Sequence, residues 1–153
     1  MRALIQRVKS GSVTVDGKII SSIGKGLLIL VGITTKDEVK DIDFMIKKIL
    51  NFRLFEDEEG NPWKKSVKDL DLEILSVSQF TLYAKVRKGN KPDFHRAMKS
   101  TDSKSFYTEF LNKLKSNYAE NKVQDGEFGA MMDVQLINDG PVSIWIDSND
   151  KEE

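Results

Sequence analysis

Apolar and polar positions alternate through the first third of the chain, and glycines punctuate them. Ala3 to Val8 is apolar and β-prone, and Ser12-Val13-Thr14-Val15 alternates. Asp16-Gly17 predicts a hairpin turn before a return strand over Lys18 to Ile23, because both turn residues tolerate positive φ. Gly24-Lys25-Gly26 predicts a second turn. Leu27-Leu28-Ile29-Leu30-Val31 reads as a strand buried on both faces. The period then changes. Ile42, Met45, Ile46, Ile49 and Leu50 recur at helical spacing, with Thr34 or Thr35 as cap and Asp37 and Glu38 at the positive end of the dipole. Glu56 to Pro62 is an acidic turn.

Ile74 to Leu82 predicts a strand that runs into a polar loop, Ala84 to Asp93. A second helix is predicted over about Ser103 to Tyr118, with Phe106, Tyr107, Phe110, Leu111, Leu114 and Tyr118 as its stripe. Two closing strands, Met132 to Ile137 and Val142 to Ile146, are joined by the turn residues Asn138-Asp139-Gly140-Pro141. The pattern indicates one α+β (mixed α/β) domain over residues 1–147. Its sheet is largely antiparallel or a partly open barrel, with two main helices packed on it, and a short charged tail over 148–153 is expected to fray.

Composition narrows the chemistry. The chain has 153 residues, no Cys and one His, His95. Disulfides, thiol nucleophiles and Cys-ligated metals are excluded, and one His cannot build a multi-histidine site. No apolar run approaches the ~20 residues that span a bilayer, so a soluble cytoplasmic protein without a membrane partner is expected. Lys plus Arg number 24 and Asp plus Glu 24, a balance that by itself disfavours a polyanionic partner. The distribution reverses that inference. Residues 85–99 hold six bases (Lys85, Arg87, Lys88, Lys91, Arg96, Lys99) against one acid, Asp93, while Glu56 to Glu59 and the chain end are acidic.

Three segments stand out. Ser76 to Tyr83 mixes polar and apolar side chains on both faces of a strand, which suits either a half-wet edge strand or a strand end offering hydroxyls and an amide to a ligand. Lys85 to Lys99 is either a solvated loop or a phosphate-binding one, with Phe94 or His95 able to stack on a base. Asn138 to Ser143 is an ordinary turn, or a place where glycine lets a backbone carbonyl approach a ligand.

In combination these segments resemble the D-aminoacyl-tRNA deacylases. Met1-Arg2-Ala3-Leu4-Ile5-Gln6-Arg7-Val8 is similar to the family's opening strand, and Ser78-Gln79-Phe80-Thr81-Leu82 to its Ser-Gln-x-x-Leu motif. Lys88 to Phe94, Phe128 to Met132 and Asn138-Asp139-Gly140-Pro141-Val142 follow in order at compatible spacing. Ser143 stands where the family usually has Thr, which keeps the hydroxyl and loses a methyl.

The resemblance implies hydrolysis of the ester joining a D-amino acid to the terminal adenosine of tRNA, with glycine passing the same filter. It implies a homodimer whose Gly140 and Pro141, joined by a cis bond, enter the partner's pocket and exclude L side chains. Arg7 would hold that motif. Ser78, Gln79, Phe80 and Thr81 would be the catalytic segment, Met132 and Ser143 further substrate contacts, and Lys85, Arg87, Lys88, Lys91, Phe94 and His95 the tRNA contacts. Thr81 could act as a nucleophile, but a pocket this poor in reactive side chains favours help from the substrate's 2′-hydroxyl. No metal or cofactor is required. The competing readings are a nucleic-acid-binding module without catalysis and a small-molecule amidase or esterase using Ser78 or Thr81 with His95.

Overall fold

The computed structural model describes residues 1–150. Among them are six strands, β1 (Arg2–Val15), β2 (Lys18–Ile23), β3 (Gly26–Gly32), β4 (Glu73–Ser78), β5 (Val123–Asp125) and β6 (Asp133–Asp147), and two α-helices, α1 (Val39–Asn51) and α2 (Ser100–Asn117). The long strand β1 organises the sheet. One edge pairs with β6 from Arg2–Asp147 to Thr14–Asp133. The other pairs with β3 through Arg2 to Val8, then with β2 through Gly11 to Val15. These pairings are antiparallel. β3 and β4 are parallel, as are β4 and β5, so the sheet is mixed; β2 also approaches β4 and β5 and curls it toward a closed barrel.

Burial follows the alternation. Met1, Ala3, Ile5, Leu27, Ile29 and Ile74 point to the helices and join Ile42, Met45, Ile49, Tyr107, Phe110 and Leu114 in the main core. Val8, Val13, Ile23, Leu28, Leu75 and Val77 fill the barrel side. β3 is therefore covered on both faces, which explains its unbroken apolar run. Each fully buried Leu or Ile contributes on the order of 1.5–3 kcal/mol.

Four expectations are corrected. The closing segment is not a hairpin: β6 is one strand of 15 residues, and Asn138 to Pro141 lie within it. The register against β1 shifts between Gln6 and Ser10, so the irregular Gly-Pro step is absorbed by the pairing instead of reversing the chain. The predicted strand over Ile74 to Leu82 ends at Ser78, and Phe80–Tyr83 form a 3-10 turn. The first helix is capped by Glu38 and not by threonine, in a capping box with Asp41. The chain is also tied down at Ser148, whose Oγ accepts from the Met1 ammonium at 2.5 Å and donates to Asp41 Oδ1 at 2.7 Å. The rest of the expected frayed tail, 151–153, lies outside the described residues.

Candidate functional site

A cleft of about 890 Å³ opens at the carboxyl ends of the parallel strands β3 and β4. Side chains converge there because the chain leaves both strands in loops. Gly32 ends β3, and a Cβ there would lie 3.0 Å from Leu82 Cβ and 3.1 Å from the Gln79 carbonyl. Its absence lets the 3-10 turn settle on β3, where the Gln79 amide donates to the Val31 carbonyl at 2.7 Å. Leu82 N donates back to the Gln79 carbonyl at 3.3 Å and Ala84 N to the Thr81 carbonyl at 3.0 Å. The Phe80 and Thr81 amides precede the donors of this turn and are not used by it.

Ser78, Gln79 and Phe80 line one side of the cleft. Phe80 is 57 % exposed, and its ring meets Phe94 edge-on at 5.1 Å and 74°. His95, Met98, Ser100 and Ser103 continue the lining toward α2, and Phe128 to Met132 form the opposite wall. Thr81 is not part of the lining; its hydroxyl accepts a hydrogen bond from the Gln79 side chain.

The basic loop is a small closed turn. Lys85 N donates to the Asp93 carbonyl at 2.8 Å and Asp93 N to the Lys85 carbonyl at 3.0 Å. Arg87, Lys88 and Lys91 are exposed on it, and none lines the cleft. Asp93 accepts from the His95 amide at 2.9 Å and meets His95 Nδ1 at 2.5 Å. These two bonds, the backbone one first, hold its carboxyl below the usual range. His95 Nε2 faces Lys85 Nζ at 3.5 Å. The pair resembles the orienting half of a catalytic triad, but neither Ser78 nor Thr81 is bonded to His95.

Gly140 and Pro141 lie outside this chain's own cleft, on exposed β6. Their peptide bond is cis. Gly140 has φ +128°, and an added Cβ would lie 3.0 Å from Val142 Cγ2 and 3.2 Å from Arg7 Nη2. Arg7 donates through Nε to the Asp139 carbonyl at 3.0 Å and through Nη1 to the Leu54 carbonyl at 2.6 Å. Ser143 Oγ accepts from Gln6 Nε2 at 3.4 Å. One cleft therefore gathers Ser78, Gln79, Phe80, Phe94, His95 and Met132, while Thr81, Arg7, Gly140, Pro141, Ser143, Lys85, Arg87, Lys88 and Lys91 lie apart from it.

Sequence reasoning missed the wall residues Phe128, Gly129, Ala130 and Met131. They stand in a recognisable motif whose sequence reads as a lead into a hairpin. It also misread Ser76, which is fully buried. The Ser76 and Tyr107 hydroxyls lie 2.8 Å apart, and Tyr107 donates to Asp125 Oδ1 at 2.8 Å. Burial first, then the Asp125 charge, pushes the Tyr107 hydroxyl well above its ordinary pKa. Burial also raises the Asp125 carboxyl, against the hydrogen bonds that it accepts.

The pattern of the family described as D-Tyr-tRNA(Tyr) deacylase matches residues 4–147. A D-aminoacyl-tRNA deacylase of Drosophila melanogaster is 53 % identical over 153 residues, 100 % of this chain and 96 % of that protein. Its counterpart in Saccharomyces cerevisiae is 54 % identical over 149 residues, 97 % of this chain and 99 % of that one. A solved structure described as c-Myc DNA Unwinding Element Binding Protein superposes with TM-score 0.93 at 51 % identity, covering 96 % of this chain and 98 % of its own. A probable eukaryotic D-amino acid tRNA deacylase, at 17 % identity and TM-score 0.81 over 95 % of this chain and 97 % of its own, shares the fold.

Proposed function

The chain belongs to the D-Tyr-tRNA(Tyr) deacylase family, hydrolases acting on aminoacyl-tRNA, and from that premise we propose that its cleft takes the aminoacylated 3′ end of a tRNA and a second copy of the chain supplies the chiral filter. The observation that carries this reading is the separation of parts. The cleft has a size suited to a small ligand, yet Gly140 and Pro141 stand exposed outside it. A homodimer brings one chain's Gly140-Pro141 to the other's cleft. Backbone at that place occupies the volume an L side chain needs and leaves room for a D side chain or for glycine. Apolar surface to bury in such a dimer is present: Trp145 is 47 % exposed, Ile137 56 % and Phe80 57 %.

Water attacks the ester carbonyl, the bond to the ribose 3′-oxygen breaks, and free tRNA and the amino acid leave. The Phe80 amide, at the lining and unused by the 3-10 turn, is suited to meet the developing oxyanion. The Thr81 hydroxyl is engaged by Gln79 and outside the lining, and His95 Nε2 has no hydroxyl to activate. That favours the substrate's own 2′-hydroxyl as the group that moves the proton to the leaving oxygen. Lys85, Arg87, Lys88 and Lys91 meet phosphates of the acceptor end, with Phe94 and His95 at the rim. The cytoplasm, where tRNA is charged, is the compartment proposed; among the described residues no helix is long and apolar enough to cross a membrane.

Paired assays with D- and L-tyrosyl-tRNA test the reading: only the D ester is hydrolysed, and equal release of both amino acids contradicts the filter. A D-tyrosyl-tRNA ending in 2′-deoxyadenosine reacts far more slowly; an unaltered rate removes the 2′-hydroxyl from the mechanism. The structural match to a protein described as DNA-binding keeps one alternative, a nucleic-acid-binding module. Binding of tRNA without release of any amino acid decides for it.

A further inference from the structure

We propose that Tyr107 and Asp125 are positioning residues for the cleft, acting through a buried hydrogen-bonded chain that sets the distance between its two sides. The inference rests on the reading of the cleft as the aminoacyl site. Each side stands on a short stem. One stem is β4, where Ser76 lies two residues before Ser78. The other is β5, where Asp125 ends the strand three residues before Phe128, the first residue of the wall that runs to Met132. Tyr107 joins them. Its oxygen is 2.8 Å from Ser76 Oγ and donates to Asp125 Oδ1 at 2.8 Å, so the Ser76 hydroxyl must supply the proton of the first bond. The Gly126 amide donates to the Ser76 carbonyl at 3.1 Å. The Tyr107 ring also packs on Phe128, a wall residue, with centroids 5.9 Å apart.

One side chain thus holds the stem of each side by its hydroxyl and part of the wall by its ring. The helix carrying it lines the cleft as well, through Ser100 and Ser103, so three lining elements share one anchor. Gly126 completes the arrangement. A Cβ there would lie 2.7 Å from Met132 Sδ, so the bare backbone is what lets Met132 lie back along the wall. β5 is only three residues long and pairs with β4 alone, which makes this side the one in need of a tether. Loosening it moves the wall, and a large aminoacyl side chain registers the movement before a small one does.

The test compares deacylation of D-tyrosyl-tRNA and D-alanyl-tRNA by full-length Tyr107→Phe, Asp125→Ala, Asp125→Asn and the double variant Tyr107→Phe/Asp125→Ala. The ratio of the two kcat/KM values is the readout, because a lower fraction of folded enzyme cancels from it. Tyr107→Phe and Asp125→Ala each lower the ratio about tenfold. Asp125→Asn, which keeps an acceptor oxygen, restores most of it. The double variant is no worse than either single one, as parts of one chain require. Tyr118→Phe removes a different tyrosine hydroxyl, one that donates to the Leu72 carbonyl at 2.7 Å away from the cleft, and leaves the ratio unchanged. Unchanged ratios, multiplying losses, or an Asp125→Asn enzyme as impaired as Asp125→Ala overturn the proposal. Ser78→Phe, which fills the cleft, separates the two levels. If it leaves both rates intact, the cleft reading fails; if it abolishes them while the tether variants keep the wild-type ratio, only the positioning role fails.

Discussion

Two acid–base clusters in this molecule have similar members and opposite fates. The first joins the Met1 ammonium, Asp37, Asp41 and Ser148, residues from both ends of the described chain. Its ion pair, Met1 N to Asp37 Oδ1 at 2.6 Å, is fully buried. The second joins Lys85, Asp93 and His95, at most 10 residues apart in sequence, and the His95–Asp93 pair is more than half exposed. Distance alone does not separate them, since the His95–Asp93 contact is as short at 2.5 Å. Solvent does. Burial lifts the Asp37 carboxyl even though the ammonium pulls it down, so the charges there depend on one another. In the exposed cluster water can replace either partner, and the groups remain free to meet a ligand. The first cluster holds the fold, and the second is available for function.

The comparison breaks most directly at Asp37. Asp37→Ala leaves a buried ammonium without its counter-charge and is expected to cost about 3–5 kcal/mol in urea unfolding. A loss no larger than that of an ordinary surface substitution would show that water reaches the cluster. Alkaline titration sharpens the same contrast between buried and exposed groups. The chain has three tyrosines, and all are raised: Tyr83 and Tyr107 by burial first, and Tyr118 by burial and then the Asp71 charge, to about 12. Between 10, the ordinary value, and 12 the folded state binds more protons at Tyr118 than the unfolded one, so stability falls as pH rises through that window. Tyrosinate absorbance should therefore rise together with loss of the near-ultraviolet circular dichroism. Ionisation near pH 10 in the folded protein would contradict the packing.

Smaller effects are expected on the exposed side. Lys88→Ala/Lys91→Ala should raise KM for D-tyrosyl-tRNA about tenfold and flatten its salt dependence, with kcat and the urea midpoint unchanged. An unchanged KM would place the tRNA elsewhere. His95→Ala should leave the urea midpoint unmoved and kcat within about threefold. A collapse of kcat would revive His95 as a catalytic base.

The helices and β3 were legible because their signals are local: a stripe of Ile42, Met45, Ile46 and Ile49, and an unbroken run from Leu27 to Val31. The composition of the cleft was partly legible through Ser78, Gln79, Phe80 and Met132. What misled was chemistry whose partner lies far along the chain. Ser76 reads as a wet strand position because Tyr107 and Asp125, which satisfy it, are distant in sequence. Asn138 to Pro141 has turn composition, and only the matching register shift in β1 near Val8 keeps it in a strand. Thr81 reads as strand because nothing local shows that Gly32 opens the space for a 3-10 turn.

In the proposed dimer each site is made from two copies of the chain, and complementation measures that sharing. Ser78→Phe spoils the cleft and leaves Gly140 intact. Gly140→Val forces a side chain into a backbone conformation at φ +128° and leaves the cleft intact. Each variant alone is inactive on D-tyrosyl-tRNA. Refolded together in equal amounts, they should regain about a quarter of wild-type activity, because half the dimers are mixed and each mixed dimer has one sound site. Full activity in either variant alone, or a mixture as inactive as its components, would contradict a shared site.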